Sequence, residues 1–445
     1  MAADALFQVA PDWNWERLGE VCRRGGGDIQ TGPFGSQLHA SDYVSVGVPS
    51  IMPQNISQDR VDAEGIARIA PIDAERLSRY LVKPGDIVYS RRGDVERRAL
   101  ITDRESGWLC GTGCLRVRFG EGVVDPLYAS YFLSHPASRE WVVRHAVGAT
   151  MPNLNTSILG ALPFLLPPAT DQRAIAGVLG ALDNKIDNNR YTAQALEGLA
   201  RAIFRAWFVD FEPVRAKAAG AASFPSMSQP VFDALSTQFV DSAIGPVPKG
   251  WDVKAIGDVV TPKGGGTPST KNPEYWEGGV HCWATPKDMS RLSHPVLLDT
   301  ERRITVAGVN AVSSGILPVG TVLMSSRAPV GYLAIAGVPT AINQGFIAMV
   351  CDGPLPPTYV LNWASASMDA IKAYASGTTF PEISKKNFRP LPVVVPPPDV
   401  IAAYQQIADP LFYLLTGCVR ESDKLGKTRD YLLPQLLSGT VRVPS

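Results

Sequence analysis

The chain contains the same ordered series of sequence blocks twice, and this duplication constrains its fold more than any other feature. Five blocks of the first half have counterparts in the second, and their offset falls only from 238 to 229 residues along the chain. Matches in one order at nearly one offset indicate an internal repeat. The paired blocks are residues 13–21 with 251–259, 84–92 with 319–327, 128–134 with 359–365, 148–154 with 377–383, and 162–168 with 391–397.

Each copy has the same layout. Short β-branched runs separated by glycines and prolines come first, which predicts a globular part of short strands and turns. Residues 86–90 and 321–325 are predicted to be buried strands after a tight turn, and a closing apolar strand with two prolines precedes a long helix. The predicted fold class is mixed α/β (α+β), with two pseudo-symmetric domains separated by two long antiparallel coiled-coil helices. The predicted boundaries are a first domain at 1–168, a first helix at 169–211, a linker at 212–246, a second domain at 247–397 and a second helix at 398–439.

Apolar residues recur three and four positions apart along both predicted helices, over 175–207 and over 401–436. This spacing is typical of a coiled-coil seam. Asn189 falls on the first seam, where one buried polar group can fix the register. A seam of this length needs a partner of equal length, and the other copy provides one. The alternative is that each helix packs only on its own domain.

The sequence also predicts where these helices begin. Thr170 or Asp171 is expected to cap the first helix and Asp399 the second, because their oxygens can accept hydrogen bonds from free backbone N–H groups. Pro410 is expected to kink the second helix or to delay its start. The segment between the copies has linker composition, with a short helix possible within 231–240.

Composition narrows the functional classes. Hydrophobic residues make up 45% and charged residues 19% of the chain, which argues against disorder over its whole length. Lys+Arg and Asp+Glu balance at 42 each. Since a nucleic-acid binder that acts alone usually carries a basic excess, DNA binding would require partners that share the phosphate contacts. The amino terminus does not resemble a signal peptide and no run of 18 apolar residues occurs, so we expect a cytoplasmic protein without membrane spans.

Each candidate motif for catalysis or metal binding lacks a residue or a spacing that it requires. Residues 272–275 (NPEY) resemble the loop with which amino-methyltransferases hold a flipped base, but Glu274 replaces a proline and no glycine-rich cofactor turn precedes it. Residues 426–428 (GKT) resemble the end of a phosphate-binding loop, yet Glu421 stands where that loop requires glycine. The five histidines lack metal-ligand spacing, and the six cysteines are scattered, which favours reduced thiols.

Several phrases together resemble the specificity subunits of type I restriction–modification systems. They are residues 31–38 (TGPFGSQL), 204–217 (FRAWFVDFEPVRAK), 265–269 (GGTPS), 275–276 (YW) and 432–439 (LLPQLLSG). The resemblance covers almost the whole chain, and its motifs occur in the family's order. One departure is the first copy's GTGC at 111–114, where the second copy has the more familiar NQGF at 343–346.

The resemblance implies a non-catalytic subunit that binds double-stranded DNA. Its two target-recognition domains would each bind one half of a bipartite, asymmetric sequence, and its helices would act as spacer and docking surface. The implied partners are two modification subunits that methylate adenine, plus restriction subunits. The chain itself would need no cofactor and no metal, whereas the partner subunits would use S-adenosylmethionine, ATP and Mg²⁺. Helices of ~40 residues span ~60 Å at about 1.5 Å per residue, roughly 18 base pairs, as an upper limit on the separation of the domains.

Candidate DNA contacts are polar or cationic residues on loops, since base edges are recognised by such side chains and phosphates by cations and backbone N–H groups. For each the alternative is an ordinary turn residue or solvated charge. Residues 263–268 (KGGGTP) could let the backbone approach a phosphate, and Arg92 and Arg327, at matching positions, could share a structural or phosphate-binding role. The candidates are Ser36, Gln37, Gln54, Asn55, Arg91 and Arg92 in the first domain, and Lys263, Thr267, Ser269, Lys271, Lys287, Ser326 and Arg327 in the second.

Three other functions compete with this interpretation. A specificity subunit of a related defence system would share these features. A coiled-coil scaffold that binds no DNA would explain the neutral charge, but not two divergent domains. A self-contained methyltransferase or nuclease would require cofactor or metal motifs, which the sequence lacks.

Overall fold

The computed structural model describes residues 5–57, 59–148, 150–377 and 381–443. The chain forms two compact units: the first comprises Met1–Ile186 with Lys424–Ser445, and the second comprises Asp187–Asp423. Both units mix helices with small sheets, as the sequence predicts. No helix within the described ranges combines the length and the apolar character that a membrane crossing requires.

The first unit is built on a four-stranded antiparallel sheet in the order β2-β11-β8-β9. A second sheet has the order β10-β4-β7-β3, and two strand pairs, β1-β12 and β5-β6, complete the unit. The strands are β1 (Asn14–Arg17), β2 (Gly26–Thr31), β3 (Tyr43–Val44), β4 (Val48–Ile51), β5 (Ile56–Ser57), β6 (Arg60–Val61), β7 (Arg68–Ile69), β8 (Ile87–Ser90), β9 (Arg98–Leu100), β10 (Leu109–Cys110), β11 (Cys114–Gly120) and β12 (Pro163–Leu166).

Short helices cover these sheets, and a long helix follows them. The helices are α1 (Leu18–Arg24), α2 (Pro71–Arg76), α3 (Pro126–Ser134), α4 (Pro136–His145), α5 (Thr156–Ala161) and α6 (Ala169–Phe208), with 3₁₀ turns at Ala40–Asp42, Pro53–Asn55, Ser78–Tyr80 and Asp103–Glu105. The main core lies between β2, β8, β11, β12 and helices α1 and α3. Trp13 is buried in this core.

The second unit repeats this arrangement. Its main sheet has the order β16-β23-β20-β21-β18, a smaller sheet has the order β19-β17-β22, and β15-β24 and β13-β14 form pairs. The strands are β13 (Phe239–Val240), β14 (Val247–Pro248), β15 (Asp252–Ala255), β16 (Thr261–Lys263), β17 (His281–Ala284), β18 (Val296–Leu297), β19 (Arg302–Ile304), β20 (Val322–Ser325), β21 (Leu333–Ala336), β22 (Thr340–Ile342), β23 (Phe346–Val350) and β24 (Pro392–Val395).

Helices of the second unit pack around these sheets, and the main core of the unit contains Trp251. These helices are α7 (Glu212–Ala218), α8 (Gln229–Ala234), α9 (Ile256–Val259), α10 (Pro286–Met289), α11 (Val306–Asn310), α12 (Pro357–Ala366), α13 (Met368–Ala373), α14 (Lys385–Phe388) and α15 (Pro398–Ser438), with a 3₁₀ turn at Pro273–Tyr275. The second unit also includes α6 from Asp187 onward, whereas α15 from Lys424 onward belongs to the first unit. The predicted buried strands are β8 and β20, and each follows a glycine with positive φ, Gly85 and Gly320. These matches show that the sequence duplication is also a structural one.

The long helices α6 and α15 contain 40 and 41 residues. In the first unit, Asp183 of α6 accepts a hydrogen bond from Arg429 of α15 at 2.7 Å. In the second unit, Asn189 donates one to Glu421 at 2.8 Å, and the rings of Phe204 and Tyr404 lie 6.2 Å apart. Within each unit, therefore, later residues of α6 meet earlier residues of α15, so the two segments run antiparallel as predicted. Asn189 is buried, as its seam position predicts.

Two details of the helix ends differ from the prediction. Both helices begin before the predicted capping residues, so Asp171 and Asp399 lie in the first turn. Asp171 instead accepts a hydrogen bond from the indole N–H of Trp13 at 3.1 Å. Pro410 does not delay the second helix, which starts at Pro398.

The segment between the copies is more ordered than its linker composition suggests. It forms α7 and α8, and its apolar side chains Val214, Met227, Phe232 and Leu235 belong to the core of the second unit. The short helix covers 229–234 rather than 231–240, because Phe239 and Val240 pair with β14 as a strand. The segment is therefore part of the second unit's fold.

Candidate nucleic-acid interface

In the first unit, the strand register gathers several loops at one edge of the main sheet. Thr31 at the end of β2 is paired with Leu115, while Cys114 at the start of β11 is paired with Ser90 at the end of β8. The loops after β2 and β8 and the loop before β11 therefore meet. We call residues 32–37, 52–55, 91–97 and 111–113 the first loop edge.

Backbone and side-chain contacts hold this edge together. Thr112 donates a hydrogen bond from its hydroxyl to the carbonyl of Pro33 at 3.0 Å, and the N–H of Gly111 donates to Ile51 at 2.9 Å. A Cβ at Gly32 would lie 2.1 Å from the carbonyl oxygen of Gly111, so only glycine permits this approach. The predicted candidates of the first domain thus lie on one assembled surface.

The side chains of these candidates differ in how accessible they are to a ligand. Asn55 is 4% exposed, and its side-chain oxygen accepts a hydrogen bond from the N–H of Met52 at 3.1 Å, so it shapes the turn and cannot reach a base. Gln37 is half-buried and accepts hydrogen bonds from the Tyr80 hydroxyl and the Phe34 N–H. Ser36 and Gln54 are exposed.

Arg91 and Arg92 contribute positive charge to the first loop edge. The guanidinium of Arg91 lies 5.7 Å from the ring centre of Phe34, and its Nε is buried without a hydrogen-bond partner. Arg92 is exposed. Throughout the described part of the chain, no acidic residue forms an ion pair with either arginine. Two uncompensated cations therefore lie side by side on this edge.

The second unit gathers the corresponding loops. Lys263 at the end of β16 is paired with Ala348, and Ser325 at the end of β20 is paired with Phe346 at the start of β23. We call residues 264–269, 326–331 and 343–345 the second loop edge. It carries Thr267 and Ser269, both exposed, and Lys263 directly precedes it. Lys271, also exposed, follows two residues after it.

One glycine of the glycine-rich stretch packs closely within the protein. A Cβ at Gly265 would lie 1.9 Å from the carbonyl oxygen of Ile342, so this glycine lets two backbone segments of the unit approach each other. Two tryptophans then fix the loop, because the indole N–H of Trp276 donates to Ser269 and that of Trp283 donates to Gly266, each at 3.0 Å. Arg302 covers Trp276 at 3.5 Å.

The side chains of the remaining candidates of the second unit are buried or have partners within the protein. Ser326 is 3% exposed, so its side chain is withdrawn from any ligand. Lys287 forms an ion pair with Glu301 at 3.0 Å, and this lysine, with Arg291, lowers the pKa of the Glu301 carboxyl. Arg327 lies 3.9 Å from Glu382, a loose contact that leaves most of its charge available.

Three further residues lie on or beside these edges and are not among the candidates predicted from the sequence. Phe34 is an exposed aromatic, and sequence alone would assign it to a core. Gln344 is exposed and accepts a hydrogen bond from the Thr267 hydroxyl at 2.6 Å. Lys385 on α14 is brought to Gly264 by the fold, since a Cβ there would lie 3.2 Å from its Nζ. Phe34 and Gln344 do lie within motifs of the family resemblance, 31–38 and 343–346, and Lys385 follows the repeated block at 377–383.

The two edges share one backbone frame that carries different side chains. The N–H of Arg91 donates to Gly113 at 2.7 Å, and that of Ser326 donates to Gly345 at 2.8 Å. The carbonyl of Arg91 accepts a hydrogen bond from the N–H of Leu154 at 2.8 Å. In the second unit, the carbonyl of Ser326 likewise accepts one from the N–H of Ile383 at 3.0 Å. Arg91 and Ser326 are therefore equivalent positions with unlike chemistry. The departure from the family motif at residues 111–114 lies within this frame, and the backbone hydrogen bonds of the frame still form in the first unit.

Several of the cysteine thiols are buried and unreactive. Burial raises the pKa of Cys22, Cys110 and Cys351 to about 12, so these thiols stay protonated at neutral pH and are poor nucleophiles. In the ranges that the structure describes, no cluster of three or more His, Cys, Asp or Glu side chains is placed to hold a metal ion.

The repeated halves both match one family model, described as the type I restriction modification DNA specificity domain, over residues 12–197 and 248–420. The chain is 39% identical over 179 residues to the MjaIX specificity subunit of Methanocaldococcus jannaschii, an alignment that covers 40% of each chain. It is 25% identical over 412 residues to the HindI specificity subunit of Haemophilus influenzae, covering 83% of this chain and 89% of that one.

A solved structure supports the fold. The type I restriction–modification S subunit from M. genitalium superposes with a TM-score of 0.60 at 15% identity, covering 98% of this chain and 99% of that one. Specificity subunits are the non-catalytic DNA-recognition components of their complexes, which agrees with the predicted absence of enzyme activity. Because the family model matches both halves of the duplication, this chain belongs to the type I restriction modification DNA specificity family and is a specificity subunit of such a system.

Proposed function

We propose that each loop edge contacts one half of a split double-stranded DNA target, and that the two halves differ in base sequence. The observation that carries this proposal is the shared backbone frame with unlike side chains at equivalent positions, Arg91 against Ser326. Two related surfaces that recognise different base sequences are expected to share a backbone frame and to differ in their side chains. The subunit would choose the site, and other subunits would modify or cleave the DNA.

The charges on the edges support DNA as the ligand. Arg91 and Arg92 have no acidic partner among the residues that the structure describes, while Lys263 and Lys385 lie beside the second loop edge. Phosphate contacts by such cations position a protein on the duplex. Because the whole chain has a formal net charge of zero, partner subunits would supply further phosphate contacts.

The partners would be two modification subunits that methylate adenine, together with restriction subunits. S-adenosylmethionine, ATP and Mg²⁺ would be bound by those partners, and the complex would act in the cytoplasm. The long helices offer a docking surface in the second unit, where Tyr413 is 78% exposed and Leu414 is 55% exposed on α15. Large apolar side chains next to each other on a helix surface are typical of a protein interface.

Replacing Tyr413 or Leu414 with aspartate is expected to weaken binding of the modification subunit by roughly 10- to 30-fold, because a charge would have to be desolvated within the interface. Titration of purified modification subunit by isothermal calorimetry would measure the loss. The Tyr413→Phe variant is the matched control, since it keeps the apolar ring and should bind normally. Unchanged affinity in both aspartate variants would place the docking surface elsewhere.

Genome-wide mapping of adenine methylation, with and without this gene, tests the proposed function. We expect one split motif to disappear with the gene, with one methylated adenine in each half and different bases in the two halves. A motif whose halves are identical would contradict the asymmetry. If methylation is unchanged by the deletion, and purified subunit with modification subunit shows no salt-sensitive, sequence-selective DNA binding, the proposal fails.

A further inference from the structure

Arg91 is an unusual residue for a protein surface. It is half-buried, yet it makes no ion pair and donates no side-chain hydrogen bond within the described residues. A partly buried guanidinium without a partner loses hydration and gains nothing in return. Only its Nε is buried without a partner, so its two terminal nitrogens remain accessible from outside. The side chain is therefore arranged to receive an acceptor that the free protein lacks.

Phe34 accounts for the position of this guanidinium. The ring is 52% exposed, which is costly for a large aromatic, but the Arg91 guanidinium lies 5.7 Å from its centre. A cation at this distance from an aromatic face is attracted by the ring. The ring itself is fixed by its loop, where the Phe34 N–H donates to Gln37 at 3.2 Å and Gln37 accepts from Tyr80 at 2.8 Å.

We propose that Arg91 is a specificity-determining residue that recognises a guanine in the first half of the target, and that Phe34 is its positioning residue. This inference rests on the proposed function. Guanine presents two acceptors, O6 and N7, in the major groove, and the planar fork of an arginine matches them with two parallel hydrogen bonds. An arginine held against an aromatic ring loses less conformational freedom when it binds than a free one.

The contact would be confined to one half of the target. The equivalent residue of the second unit is Ser326, which is buried and cannot replace a guanidinium. Arg92 and Arg327 occupy matching positions in both units and suit phosphates, which are present in both halves and whose contacts carry no sequence information. The chemistry of the two edges thus assigns the guanine to the first half.

Lysine distinguishes base recognition from a simple phosphate contact. An Arg91→Lys variant keeps the charge but loses the fork, so a phosphate contact would survive and a bidentate guanine contact would not. The Phe34→Leu variant keeps an apolar side chain but removes the aromatic face. The Arg144→Lys variant is the matched control, because Arg144 lies on α4, outside the first loop edge, and is paired with Glu140.

The test uses the full chain in complex with its modification subunit and duplexes that carry the mapped target. In these duplexes 7-deazaguanine, which lacks the N7 acceptor, replaces each guanine of the first half in turn. For the unmodified protein we expect one position to weaken binding by roughly 5- to 150-fold. For the Arg91→Lys protein, 7-deazaguanine at that position should weaken binding little further. For the Phe34→Leu protein, the loss of affinity should be intermediate. The control should behave as the unmodified protein.

Two results would overturn the inference while leaving the proposed function intact. One is a mapped motif whose first half contains no guanine. The other is an Arg91→Lys variant that retains full sensitivity to every 7-deazaguanine substitution, which would make Arg91 a phosphate contact. A complex that binds DNA without any sequence preference would instead refute the proposed function itself.

Discussion

Replacing Trp207 with alanine is expected to lower the free energy of unfolding of the second unit by about 3–5 kcal/mol, the usual cost of removing a large buried aromatic. Trp207 lies near the end of α6 and is almost completely buried. Its ring lies 6.3 Å from that of Tyr404 on α15, and it belongs to the same core as Val214 of α7. Its loss would leave a cavity where both long helices and the segment after α6 meet within this unit.

Unfolding in urea, monitored by circular dichroism, would measure this loss as a lower midpoint urea concentration for one unfolding transition. Leu199→Ala is the matched control, because Leu199 lies on the same helix and is exposed, so we expect a change within about 0.5 kcal/mol. A loss for Trp207→Ala no larger than that of the control would show that the end of α6 does not stabilise the second unit.

The helix ends explain two phrases that carried the family resemblance. In the second unit Phe204, Trp207 and Phe208 are part of the main core. In the first unit Leu436 and Leu437, near the end of α15, are part of the core that contains Trp13. The core of each globular unit therefore includes the final turns of the long helix that follows the other copy in sequence. Such residues keep apolar identity for packing, whatever DNA the subunit recognises.

The sequence predicted the elements that have a clear period. The seam of α6 and α15 was visible because apolar residues recur at three and four positions, and Asn189 was recognised as a polar exception on that seam. The duplication also predicted that β8 and β20 are equivalent strands. Periodicity and repetition depend on local order along the chain, so a sequence reveals them.

Burial at the loop edges could not be predicted in the same way. Asn55 and Ser326 are polar residues in loops, which favours exposure, but both side chains are buried. The sequence also does not show that the backbone of Ile342 lies within contact distance of Gly265. Phe34 and Lys385 were missed for the converse reason, since only the fold brings them beside Arg91 and Gly264.

Inserting four residues into both long helices is expected to abolish recognition of the natural target and to create a new one with a longer gap. The insertions belong after Ile186 in α6 and after Asp423 in α15, where the chain passes from one compact unit to the other, so both cores stay complete. Four helical residues add about 6 Å, which is less than two base-pair steps, and they add a rotation of only about 40° beyond a full turn.

If the helices act as a spacer, methylation mapping of this variant should show both half-sites unchanged and the gap between them one or two base pairs longer. The unaltered half-sites are the internal control, because they report that both loop edges remain folded. Insertion into α6 alone should abolish methylation altogether, since the polar contacts Asp183–Arg429 and Asn189–Glu421 could not both form with unequal helices. A doubly lengthened subunit that still directs methylation at the original gap would mean that the modification subunits, not these helices, set the distance between the half-sites.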